Sequence, residues 1–240
     1  SLATSVRLMA DYLRYFEPAF VDAHGIRDRA GKRLPQLHQS VIRRLGSSGR
    51  VVRTATARVL QAIERAIPTA PGLEPFVREH DPDLLLVTPL IELGSQQVDY
   101  IKCARRLGIP SALAVASWDN LTSKGLIRVI PDHVLVWNEA QREEAVALHG
   151  VRAERVHVTG AHLFDVWFAM QPSRSREAFC REVGLDPARP FVLYVGSSIF
   201  IAPEEVPFAE RWLAHLRQSD DAAVSSLGVL FRPHPANSRQ

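Results

Sequence analysis

The chain reads as an α/β protein built on parallel sheets, and three observations predict this. Four short apolar runs, 84–88, 112–116, 134–137 and 156–159, recur within the stretch Asp83 to Gly160. None alternates cleanly between apolar and polar residues, which predicts strands buried on both faces. Helix-like segments of crossover length separate most of them. Each run also ends in a small or polar cluster: Thr88-Pro89, Ser117 to Asn120, Asn138-Glu139 and Gly160-Ala161. In open α/β sheets, ligands bind outside the carboxyl ends of the strands.

The elements follow in order. Val6, Met9, Leu13 and Phe16 recur at helical spacing, so 3–16 is expected to be an amphipathic helix that Pro18 helps to stop. Further helices are predicted over 26–33, 36–45, 50–67 and 73–80, giving a front with no strand signal. Helices are expected at 92–107, closed by Gly108, and at 139–149, with Asn138 as N-cap and Gly150 as stop. No helix of ordinary length fits between Ser117 and Pro131, so a loop or one short turn joins the second and third strands. Phe164, Trp167 and Phe168 are expected to pack against the sheet. A helix over 174–183 then leads to a second sheet with strands 191–195 and 229–231, separated by a helix at 205–218. The expected organisation is a first Rossmann-like domain over 1–165 with a helical insertion at 1–80, a linker helix over 166–190, and the start of a second Rossmann-like domain over 191–240.

Hydrophobic residues make up 46% of the 240, enough for a core. No run approaches a membrane span and no signal peptide opens the sequence, so a cytoplasmic setting is the default expectation. Residues 1–80 hold 13 basic and 7 acidic side chains, and residues 81–240 hold 16 and 19. The basic front is expected to face an anionic acceptor or a membrane surface, peripheral to the inner face of the plasma membrane. Its Arg residues are not interleaved with aromatics, so no nucleic-acid partner is expected. Cys103 and Cys180 read as buried, reduced thiols, and no Cys or His stands at metal-ligand spacing. The sequence begins at Ser1 inside a helical pattern and stops at Gln240 just past a strand. It is expected to be a piece of a longer protein.

Three stretches carry candidate chemistry. Gly196-Ser197-Ser198 follows a strand, and small residues with free N–H groups there suit a phosphate; an ordinary turn is the alternative. Arg232-Pro233-His234-Pro235 fixes two cations at another strand end, suited to a diphosphate or simply a rigid turn. Ser117 to Gly125 is the long rim loop. In it Trp118 would stack on a sugar or base, and Asp119 would act as a general base or bind an acceptor hydroxyl, beside Asn120 and Lys124. The alternative has Asp119 and Asn120 satisfying turn backbone with Trp118 in the core. Gly160 allows close approach of a ligand, while His162 and Asp165 serve either that ligand or a hinge. Glu92 reads as a first-turn helix residue, and His24, His149 and His157 as structural or exposed.

Taken together, Ser117 to Asn120 with Lys124-Gly125, Val136 to Asn138 with Gln141, Val158 to Ala161 with Phe164-Asp165, and Arg232 to Pro235 come in an order that resembles GT-B-type glycosyltransferase-like proteins of bacterial surface-carbohydrate synthesis. These are similar to CDP-glycerol glycerophosphotransferases, Kdo transferases and UDP-N-acetylglucosamine 2-epimerases. The resemblance implies two Rossmann-like domains facing across a cleft. It implies a nucleotide-sugar or CDP-glycerol-like donor held at Gly196, Ser197, Ser198, Arg232 and His234, and a glycan or lipid-linked acceptor near Trp118, Asn120, Lys124, Gly160 and His162. Asp119 would be the base, with no bound cofactor and no metal required. It also implies that the opening strands of the first domain and the later ribose-binding acid lie outside this sequence, so that this piece alone would not turn over. A sugar-nucleotide 2-epimerase and a non-catalytic nucleotide- or glycan-binding protein of the same fold are the alternatives.

Overall fold

The computed structural model describes residues 2–199 and 201–237. The chain divides into two compact units, Ser1–Asp165 and Val166–Gln240. The first opens with helices α1 (Leu2–Arg14), α2 (His24–Gly31), α3 (Gln36–Ser47), α4 (Arg50–Ala66) and α5 (Leu73–His80). Then β1 (Leu85–Val87), α6 (Val98–Leu107), β2 (Ser111–Ala114), the single turn α7 (Asn120–Ser123), β3 (His133–Val136), α8 (Glu139–His149) and β4 (Val156–Val158) follow. The four strands form one parallel sheet in the order β1-β2-β3-β4, with Val87, Leu113, Val134 and Val156 in one row. The chain is therefore α/β, as its apolar runs predict.

One face of this sheet is core. Leu85, Val87, Leu113, Val134, Val136 and Val156 pack with Val98, Ile101 and Ala104 of α6 and Ala145 of α8. The opposite face departs from the expectation of strands buried on both sides. Leu86 is 54% exposed, and His133 and His157 lie in the open with ring nitrogens 3.0 Å apart. Sequential strand order with crossovers of one hand places α6 and α8 on the same side, which leaves the other side bare. Two more expectations fail locally. The helix read as 92–107 starts only at Val98, because Leu90 and Ile91 enter the core from a loop. Glu92 is thus an exposed loop residue rather than part of a first helical turn.

The helical front has its own apolar cluster, with Val6, Leu13, Phe20, Leu34, Ile42 and Leu60. Between the two clusters runs a buried polar seam. Arg7, Asp11 and Arg14 fall at helical spacing on α1, and all three are buried. Arg7 donates Nε to Glu64 Oε2 at 2.9 Å and its terminal nitrogen to Glu64 Oε1 at 3.0 Å and Asp99 Oδ1 at 2.5 Å. Lys102 adds a bond to the Glu64 carbonyl at 2.7 Å. Asp11 pairs with Arg128 and accepts the N–H groups of Gly94 and Leu126. Three of the 13 basic side chains of residues 1–80, Arg7, Arg14 and Arg53, are thus internal.

The second unit carries α9 (Asp165–Ala169, at the junction), α10 (Arg176–Val183), β5 (Phe191–Val195), α11 (Glu205–Arg217), α12 (Ala222–Ser225) and β6 (Gly228–Arg232). β5 and β6 pair in parallel, Val195 opposite Arg232. Tyr194 stacks on Phe231 with ring centroids 4.9 Å apart and touches Trp212 of α11. Cys180 and Gly196 are the only buried residues among those described here. Both cysteines of the chain are buried and free. Trp167 and Phe168 are 62% and 89% exposed rather than packed against a sheet as expected, while half-exposed Phe164 meets Trp137 edge-on.

Candidate functional site

In the first unit the loops at the strand exits are tied down by side-chain amides. Gln97 accepts from Leu90 N at 2.7 Å and donates to Thr88 O at 3.1 Å, bracing the loop after β1. Buried Asn120 accepts from the N–H groups of Ala116 and Ser117 at 3.1 and 2.9 Å, turning the chain after β2. Buried Gln141 accepts from Trp137 N at 2.8 Å and donates to Ser117 O at 3.2 Å, joining the exits of β3 and β2. Asn138 caps α8 by accepting from Gln141 N, as its position before Glu139 predicts.

The frame holds up one carboxylate. Asp119 accepts from Ser117 Oγ at 2.7 Å and from Ser123 Oγ at 2.6 Å. Partial burial pushes its carboxyl up, but those two hydroxyls and nearby Lys124 outweigh it and hold Asp119 below the usual carboxylate range. The group is ionised at neutral pH, an acceptor for a proton or a hydroxyl. Trp118 beside it is 74% exposed, which overturns the core alternative for this residue. Asn120 satisfies turn backbone as the alternative had it, while the Asp119 carboxylate is held chiefly by hydroxyls.

The helical front supports this loop from beneath. Arg14 donates to the carbonyls of Leu121, Lys124 and Gly125, Tyr15 Oη donates to Lys124 O at 2.6 Å, and Arg29 donates to Ser123 O at 2.9 Å. Burial pushes the Tyr15 hydroxyl up to about 12, so it stays a donor. Gly125 is required by close approach: a Cβ there would lie 2.6 Å from Glu92 O and 3.0 Å from Asp11 Oδ1. The Lys124 ammonium reaches Glu92 at 4.0 Å. Gly160 (φ 81°) and His162 lie exposed after β4; Thr159 Oγ1 donates to Gly160 O at 3.4 Å, and a Cβ at Gly160 would meet open space.

In the second unit Gly196 to Ser198 and Arg232 to Asn237 lie side by side at the exits of β5 and β6. Gly196 N donates to Arg232 O at 2.8 Å. Asn237 clasps the loops, donating to Ser197 O at 2.9 Å and accepting from Ile199 N at 3.1 Å. His234 Nδ1 accepts from Ala236 N at 3.1 Å, which places the neutral ring's proton on Nε2. The expectation of free loop N–H groups needs correction. Ser197 N donates to Glu205 Oε1 at 2.6 Å, so a carboxylate of α11 already sits where a phosphate oxygen would accept. A Cβ at Gly196 would approach Glu205 Oε2 to 3.1 Å, so glycine is what admits that carboxylate.

Glu205 is then a competitor for any anion on this loop. Replacing it with Gln is expected to tighten binding of inorganic pyrophosphate about fivefold, since one like charge at about 4 Å in water is worth about 1 kcal/mol. Isothermal titration of Glu205→Gln beside the parent chain measures this, and equal or weaker binding by the variant would remove the role. Sequence reasoning missed Glu205, Asn237, Gln97 and the serine pair on Asp119. Only Ser117 and Ser123, flanking Asp119 within one loop, left a readable sign. Among the described residues no group of three or more His, Cys, Asp or Glu is placed to hold a metal ion.

No protein-family model matches the chain, and a search of curated proteins returns no match.

Proposed function

We propose that the protein transfers a group from a nucleotide-activated donor to a hydroxyl of a surface-glycan acceptor, as a glycosyl- or glycerophospho-transferase. The observation that supports this best is an ionised carboxylate, Asp119, braced at a strand exit beside exposed Trp118. Arg232 and His234 at the exits of the second sheet suit the donor's phosphates. In the step itself the acceptor oxygen bonds to the transferred group as its bond to the nucleotide phosphate breaks. The electron pair leaves on that phosphate, and the acceptor proton passes to Asp119.

Asp119→Ala is expected to lower transfer about 100- to 10,000-fold, the range for a lost general base. His234→Ala should weaken donor binding. Undiminished turnover in Asp119→Ala would dismiss the assigned base. One observation favours a second reading, a silent fold that binds a nucleotide or glycan: Glu205 occupies the Ser197 N–H. Ligand binding by the protein without donor hydrolysis supports that reading instead.

A further inference from the structure

We propose that α3 and α4 form a docking face for an anionic lipid bilayer. From Arg29 to Ile63 the chain runs 35 residues without an Asp or Glu and carries eight Arg or Lys. Arg53 turns inward to Glu17 at 2.9 Å, and Arg29 bonds Ser123 O. The other six, Lys32, Arg33, Arg43, Arg44, Arg50 and Arg58, are exposed.

The same stretch leaves large aliphatic side chains in water. Leu37 on α3 is 73% exposed and Val51 on α4 is 83% exposed, with Val41, Val52, Val59 and Ile63 also open. On α4 the buried stripe is Arg53, Leu60 and Glu64. At 3.6 residues per turn the opposite side carries Val51, Ala55 and Ala62, all exposed. A helix whose outer side faces only water carries polar residues there. An apolar outer side flanked by Arg is the pattern of a helix lying in a membrane interface.

Charge selects the occupant. With no acid along the stretch, the face complements phosphate headgroups, each basic residue near such a surface adding about fivefold in affinity. The exposed aliphatic side chains favour a bilayer over a nucleic acid, since a phosphate backbone offers them no apolar partner. The inference stands apart from the transfer reaction and would survive its failure.

The test is sedimentation of the chain with phosphatidylcholine vesicles, with and without phosphatidylglycerol. Binding is expected only with phosphatidylglycerol, and is expected to fall with added salt. Arg43→Glu with Arg44→Glu should weaken it by tenfold or more, and Val51→Asp comparably; circular dichroism verifies folding, since all three positions are exposed. A polarity-sensitive dye on Val51→Cys should shift to the blue on those vesicles, the native cysteines being buried. Equal binding to both vesicle types, no binding, Val51→Asp binding like the parent, or a dye that stays in water would each overturn the proposal.

Discussion

Replacing Arg7 with Met is expected to destabilise the first unit by about 3–5 kcal/mol, the cost of stranding buried carboxylates without their partner. Arg7 is 1% exposed and bonds both Glu64 and Asp99, so its loss leaves two acids in the seam. Lys102 still reaches Glu64 Oε1 at 3.3 Å, but among the described residues Asp99 has no second cation. Chemical denaturation of the single variant, of Asp99→Asn, and of the pair gives the coupling. Removing both should recover a good part of the loss, because a buried pair is worth little net compared with an apolar replacement. Additive losses, or a variant as stable as the parent, would mean the seam is wet and weak.

The second large effect is on pH. His149 is buried at the end of α8, accepting from Ile127 N at 3.1 Å through Nδ1 and donating from Nε2 to Leu121 O at 2.8 Å. Burial and the nearby Arg14 guanidinium push its pKa down to about 3. The unfolded chain binds that proton near the ordinary value of 6.5, so on acidification the unfolded state gains a proton that the folded state refuses. The stability from neutral His149 is fully present above about 6.5 and is lost as pH falls toward about 3. Between pH 7 and pH 5 the loss is about 2 kcal/mol. His149→Asn keeps an acceptor for Ile127 and should remove that part of the slope in urea titrations. A slope equal to the parent's would show that His149 titrates normally in the fold.

The strands were legible because each is a short apolar run closed by Thr, Ser, Asn or Gly, and α8 because Asn138 and Gly150 bracket it. The bare face of the first sheet was not, since apolar runs report what a strand can bury and not what covers it. Leu86 reads like Leu85 in sequence; only strand order separates them. Nor was the charged stripe of α1, for Arg7, Asp11 and Arg14 look like an ordinary solvent side until a second core is packed beyond them. At the candidate site Trp118, Asp119 and Asn120 stood out as unusual types in a rim loop. Gln97 and Glu205 did not, because a bracing amide or a carboxylate on a loop N–H has no spacing of its own. His149 reads from its sequence only as structural or exposed, because its partners, two main-chain groups and Arg14, all lie more than twenty residues away.

The uneven burial of the two units has a thermodynamic consequence. With only Cys180 and Gly196 shielded from water among its described residues, the second unit has little interior to hold it together. On the proposed function, a diphosphate held by its two exit loops would supply cohesion that the side chains do not, drawing β5 and β6 into a single melting unit. Ligand and fold would there be one equilibrium, while the carboxylate at Asp119 rests on a foundation already set.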